Sequence, residues 1–230
     1  MIVTIDGPAG AGKSTVSRTL AQRIGFQYLD SGAIYRCYAY QAWKSGLEFE
    51  NQHDFQGFLE KTKIKADFQS ASPRLWVNGL EVTEEIRSSL VSGLVSKISK
   101  FGEVREAVVQ KLRELAGIGD YVIDGRDIGT VVFPNAELKV YLTASLEERA
   151  QRRSQDLLNQ GEEVNLEELK TQITQRDHED SSRKIAPLKK PEDAVEVDTT
   201  GMSIELVLDE IQKLVHEING NLQKKSIDRS

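Results

Sequence analysis

Short apolar runs alternate along this chain with longer stretches in which apolar residues recur every three or four positions. Ile2-Val3-Thr4-Ile5 is a β-branched run suited to a buried parallel strand, and Val16, Leu20 and Ile24 follow it at helical spacing. Phe26-Gln27-Tyr28-Leu29, Tyr121-Val122-Ile123-Asp124, Leu138-Lys139-Val140-Tyr141-Leu142 and Ala194-Val195-Glu196-Val197-Asp198 repeat the strand pattern, so five strands are expected. Ile204, Val207, Leu208, Ile211, Leu214, Val215 and Ile218 mark an amphipathic closing helix, which Asn219-Gly220 should end, leaving a polar tail that should fray. Strands alternating with helices predict an α/β core around a parallel sheet.

Between about Glu48 and Thr83 the alternation fails. Leu75-Trp76-Val77 and Leu80-Glu81-Val82 flank Asn78-Gly79, a strong hairpin signal, and residues 64–68 alternate as a third strand. A small antiparallel insert is expected there, followed by helices over 84–99 and 103–115 with a break at Phe101-Gly102. Further on, Ser145-Leu146-Glu147-Glu148 has the form of a capping box and opens a helix carrying Arg149, Arg152 and Arg153. A polar connection over 155–164, including Gly161, joins it to a second helix over 166–176. Two helices with a polar link suggest a lid, although a solvated charged helix accounts for the same charges.

Composition narrows the class. A chain of 230 residues suits one α/β core with insertions better than two large domains. The formal net charge of −6 argues against a nucleic-acid or anionic-membrane partner, while leaving room for local basic clusters. The one cysteine, Cys37, cannot form an internal disulfide and reads as a packing residue in a reducing compartment. No apolar run reaches membrane-spanning length and the first strand begins at Ile2, so no targeting segment is expected and the location should be cytoplasmic. His53, His178 and His216 show no metal-ligand or catalytic spacing.

The chemistry begins between the first strand and the first helix, where Gly7-Pro8-Ala9-Gly10-Ala11-Gly12-Lys13-Ser14-Thr15 fits the P-loop pattern G-x-x-x-x-G-K-[ST]. Its glycines let backbone N–H groups close around phosphate oxygens, and the helix start adds its positive end. Lys13 should reach the β- and γ-phosphates, with the Ser14 hydroxyl on a Mg²⁺ ion. The loop names a nucleotide donor and leaves the acceptor open. A guanine-reading N-K-x-D segment after a late strand is absent, which argues against a nucleotide switch.

Asp30-Ser31-Gly32-Ala33-Ile34 reads as a ligand-binding loop past the second strand, with a helix from Tyr35 and Arg36 through Trp43. Opposite a P-loop, Arg36 suits a phosphate clamp better than a surface position. Gly125-Arg126-Asp127-Ile128-Gly129-Thr130 places polar residues directly after a central strand, and Asp124 there fits either a water-mediated Mg²⁺ ligand or a cap or turn residue. Arg176, Asp180 and Arg183 would share one face of a continuing helix; a phosphate with sugar hydroxyls and an exposed ion pair explain them equally. Arg152 and Arg153 are placed to meet charge developing on a transferring phosphoryl group.

Three stretches, DSGAIYR from Asp30, DGRDIGTVVFP from Asp124 and RDHEDSSRKIAPL from Arg176, make the chain resemble bacterial-type cytidylate kinases, P-loop enzymes of the nucleoside monophosphate kinase group, from Ile2 to about Ile218. The resemblance implies a three-layer α/β fold of P-loop NTPase type with a five-stranded parallel sheet, an inserted monophosphate-binding region with a small antiparallel sheet, and a helical lid. Residues 1–35, 118–150 and 184–220 would form the core, 36–117 the insert, 151–183 the lid and 221–230 an unmatched tail. It further implies transfer of the γ-phosphoryl group of ATP to CMP or dCMP with Mg²⁺. A monomer is expected, although the sequence does not give the oligomeric state. Arg36, Arg126 and Arg183 would hold the acceptor phosphate, while Ser96, Arg105 and Asp127 would read the cytosine edge. Of these, Ser96 and Arg105 are unremarkable by local pattern. Asp127 can accept from the exocyclic amine that uracil lacks. Arg176 and Asp180 would face the sugar hydroxyls, Ser31 and Tyr35 would line the pocket, and Lys13 and Arg152 would act on the transferring group. A P-loop kinase for UMP, AMP or shikimate is the alternative.

Overall fold

In the computed structural model, residues 1–47, 55–68, 73–159, 161 and 163–227 are described, with side chains through residue 220. The strands are β1 (Ile2–Asp6), β2 (Gln27–Asp30), β3 (Ile64–Asp67), β4 (Arg74–Val77), β5 (Leu80–Glu81), β6 (Tyr121–Gly125), β7 (Leu138–Thr143) and β8 (Val195–Asp198). The helices are α1 (Lys13–Ile24), α2 (Ser31–Lys44), α3 (Phe55–Lys61), α4 (Ser89–Ile98), α5 (Gly102–Ala116), α6 (Leu146–Asn159), α7 (Leu166–Ser181) and α8 (Ile204–Ile227). The chain divides into one unit of residues 1–28 and 120–230 and a second of residues 29–119.

The first unit is built around β1, the middle strand of a five-stranded sheet ordered β2-β6-β1-β7-β8. β1 runs parallel to β6, from Ile2 opposite Tyr121 to Asp6 opposite Gly125, and parallel to β7, with Asp6 opposite Tyr141. This register brings the loops after β1 and β6 out at the same end of the sheet. The chain leaves β1 toward one sheet edge and β6 toward the other, the topology that opens a ligand crevice at the carboxyl ends of parallel strands. Val3, Ile5, Leu20, Val122, Leu142, Leu208 and Ile211 are fully buried in one core, which joins the strands to α1 and α8.

Two helices outrun their expected ends. α8 passes Asn219-Gly220 and continues to Ile227, because an interior glycine costs a helix only about 1 kcal/mol and Leu222, Gln223, Lys224 and Lys225 are good helix formers. α7 continues to Ser181, which carries Asp180 on the helix and leaves Arg183 just beyond its C-cap, Ser182.

The second unit carries the antiparallel sheet in the order β3-β4-β5, with Ile64 opposite Val77 and Val77 opposite Leu80. Asn78 (φ 51°) and Gly79 (φ 85°) close the hairpin in the left-handed conformation that their residue types favour. Residues 48–54 and 69–72 of the expected insert lie outside the described residues, as do 160 and 162 of the polar connection. The helix expected over 84–99 is broken. A 3₁₀ turn (Glu85–Arg87) gives way at Ser88, whose extended backbone and hydroxyl, accepting from the Val91 N–H at 3.4 Å, start α4 afresh. Cys37 is fully buried in α2, and burial pushes its thiol up to about 12.

Candidate active site

The phosphate loop leaves β1 at Gly7 (φ 150°), where a Cβ would stand 2.0 Å from the Leu142 carbonyl oxygen. At Gly10 (φ 78°) a Cβ would stand 3.0 Å from Cβ of Arg149. The glycines therefore serve close packing on β7 and α6 as well as phosphate approach. Gly12 (φ 83°) leads into α1, whose first residue, Lys13, is buried and donates from Nζ to the Pro8 carbonyl at 2.7 Å.

Burial lowers the Lys13 pKa well below the usual ammonium value, and the positive charges of Arg126 and Arg176 push it the same way against Asp124 and Asp6. The charges of two arginines thus act on the P-loop lysine. Such repulsion is unfavourable until a polyanion enters.

The Asp124 side chain reaches the P-loop. Its Oδ2 accepts from the Ser14 hydroxyl at 2.8 Å and its Oδ1 from the Tyr28 hydroxyl at 2.7 Å. One hydroxyl and one carboxylate side by side are hard oxygen donors of the kind Mg²⁺ takes, alongside water and substrate phosphates. Among the described residues there is no group of three or more His, Cys, Asp or Glu side chains able to hold a metal by themselves.

Asp180 is buried and links two of the expected phosphate-binding arginines, accepting from Nε of Arg126 at 2.8 Å and pairing through its other oxygen with Arg183. Burial pushes its carboxyl up, but Arg126, Arg183 and Arg176 together draw it below the usual carboxylate range. Arg176 is exposed on α7, one turn before Asp180. Asp127 is buried directly after β6. Arg152 lies beside the loop, its Nη1 3.6 Å from where a Cβ on Gly12 would stand, yet its guanidinium is engaged elsewhere. It binds Glu148 (3.0 Å) and the side chain (2.9 Å) and carbonyl (2.8 Å) of Thr199. Arg153 is exposed.

In the second unit, the stretch expected as a loop past β2 is the start of α2. Asp30 caps it, accepting from the Ala33 N–H at 2.9 Å and from Nη2 of Arg36 at 2.7 Å, and Ser31 is buried in the first turn. The guanidinium of Arg105 lies 5.8 Å from the Tyr35 ring centroid and donates to the Ser99 carbonyl at 3.3 Å. The Ser99 hydroxyl donates to the Ser96 carbonyl at 3.4 Å. Tyr35, Ser96 and Arg105, far apart in sequence, thus belong to one neighbourhood.

Three residues without a sequence signal join the site. The Asp6 carboxylate accepts from the N–H groups of Ile128 (2.9 Å) and Gly129 (2.7 Å), holding the segment that follows Arg126 and Asp127. Burial pushes Asp6 up to about 6 despite these hydrogen bonds. Arg149 and Asp177 bracket the loop at Ala9. The capping-box helix offered three arginines, and nothing in their spacing singled out Arg149 as the buried one.

Comparison with known proteins identifies the family. A sequence model of the cytidylate kinase family matches residues 3–217. The chain belongs to the cytidylate kinase family. It is similar to the cytidylate kinase of Carboxydothermus hydrogenoformans, 46% identical over 95% of this chain and 99% of that protein. It is likewise similar to the cytidylate kinase of a Geobacillus species, 46% identical over 94% and 96% of the two chains. A solved structure of an uncharacterised protein from Eubacterium ventriosum shares the fold, with a TM-score of 0.52 at 11% identity over 94% of this chain and 98% of that one. Like these relatives the chain is a phosphotransferase, and among its described residues no helix is long and apolar enough to cross a membrane.

Proposed function

We propose that the chain transfers the γ-phosphoryl group of ATP to CMP and dCMP, giving ADP and CDP or dCDP. The observation that carries this reading is the pair Arg126 and Arg183 held together by the buried Asp180, with the charges of Arg126 and Arg176 acting on the buried P-loop Lys13. The acceptor is already an anionic phosphate oxygen, so no strong base is required. The barrier lies in bringing two polyanions together in line, and fixed cations serve that purpose.

In this reading Lys13 and the loop N–H groups hold the donor phosphates. Ser14 directly, and Asp124 through water, would hold a Mg²⁺ ion, which when bound supplies neutralising charge to the β- and γ-phosphates. Arg36, Arg126 and Arg183 bind the acceptor phosphate, the last two spaced by Asp180. Ser96, Arg105 and Asp127 are the proposed readers of cytosine, and Ser31 and Tyr35 are further substrate-binding residues. Arg176 and Asp180 face the sugar, Asp180 through lone pairs its arginines leave open. Arg152 reaches the transferring group by exchanging its Thr199 contacts as α6 and α7 close as a lid. The enzyme works as a cytoplasmic monomer.

The test is ADP production from Mg·ATP with CMP, dCMP, UMP, AMP and shikimate offered separately. Fast turnover with CMP and dCMP, slow turnover with UMP and loss of both in Arg183→Ala are expected. Preference for another acceptor would overturn the cytosine assignment, and turnover independent of any acceptor would overturn the kinase reading.

A further inference from the structure

We infer that Arg149 and Asp177 clamp the third residue of the P-loop and are positioning residues for the ATP phosphates. Ala9 is buried, and both of its backbone polar groups are taken by this pair. Its N–H donates to Oδ1 of Asp177 at 3.2 Å, and its carbonyl accepts from Nη1 of Arg149 at 3.0 Å. The same Nη1 pairs with Oδ2 of Asp177, and Nε of Arg149 donates to the Ala144 carbonyl at 3.1 Å.

A P-loop binds phosphate because successive N–H groups turn inward, and a peptide at its rim that turns outward must find partners in the protein. Ala9 is that peptide. The planar guanidinium of Arg149 can serve two carbonyls and a carboxylate at once, which a lysine ammonium on a flexible stem cannot match. The backbone of α6 closes the other side, where a Cβ on Gly10 would meet the Arg149 carbonyl oxygen at 3.1 Å. Asp177 adjoins Arg176 on α7, so the clamp ties the phosphate loop to the helix that carries Arg176 and Asp180.

The inference rests on the P-loop as the ATP site and not on the identity of the acceptor. Calorimetric titration of the full chain with Mg·ATP, without acceptor, therefore tests it separately from the activity assay. Asp177→Asn keeps the shape and an acceptor for the Ala9 N–H but breaks the charge pair; Arg149→Lys keeps the charge but loses the fork. Each should weaken ATP binding roughly tenfold or more, as expected for a charge-assisted hydrogen bond. In turnover, the KM for ATP should rise while the KM for CMP stays within about twofold of the parent. The double variant should be little worse than the poorer single one, because the residues act as a unit. Unchanged or tighter ATP binding in a folded Asp177→Asn protein would overturn the inference, as would equal losses for ATP and CMP.

Discussion

Asp6 sits in an environment that a carboxylate does not favour. Its carboxylate is almost fully buried, with Lys13 and Asp127 acting on it in opposite senses and the Ile128 and Gly129 N–H groups bound to it. Its pKa rises from 3.8 to about 6, so the folded protein binds this proton more tightly than the unfolded chain. The resulting stabilisation is full below pH 3.8 and is lost as the pH rises through about 6, a change on the order of 3 kcal/mol. Asp6→Asn cannot ionise, so its stability relative to the parent should improve by roughly that amount between pH 4 and pH 7 in urea unfolding. A pH-independent difference would mean that Asp6 titrates normally. Gly129 tests the same spot sterically, since a Cβ there would lie 2.9 Å from the Thr4 hydroxyl oxygen and 3.1 Å from Pro191 Cγ. Gly129→Ala should cost about 1–3 kcal/mol by thermal unfolding and slow turnover by displacing Arg126 and Asp127. The P-loop was legible because each of its residues carries its chemistry locally. Asp6, Arg149 and Asp177 were not, because their partners lie 122, 140 and 168 positions away.

At the scale of elements, local signals succeeded where one chemistry had one meaning. Asn78-Gly79 named the hairpin because few residues accept positive φ in both turn positions. Asp30-Ser31-Gly32 misled, since the residues that make turns also make helix caps, and only the Ala33 N–H bound to Asp30 distinguishes the two. The same ambiguity hid the break at Ser88. Asn165 shows what such a cap contributes: its side-chain oxygen accepts from the N–H groups of Glu167 (3.1 Å) and Glu168 (3.4 Å) at the start of α7. Asn165→Ala should lose about 1 kcal/mol and speed amide hydrogen exchange in the first turn of α7, and unchanged exchange there would show the cap to be dispensable.

For the whole molecule, ligand binding and folding are linked. ATP at about a hundred times its Kd should stabilise the chain by about 2.7 kcal/mol, raising Tm by roughly 5–10 °C. The rise should vanish in Lys13→Ala, whereas a shift of the same size in that variant would place the nucleotide elsewhere. The alternation of strands and helices disclosed the parallel sheet, and its interruption disclosed the antiparallel one. The strand order was not visible, because pairing between β1 and β6 joins segments more than a hundred residues apart. Cys37 offers one more property of the entire chain. It is the sole thiol among 230 residues, it is inaccessible, and it stays protonated at working pH. To maleimides and other thiolate-seeking reagents the native protein is therefore silent, so cysteines introduced at chosen surface positions can carry fluorophores or spin labels with no background to subtract.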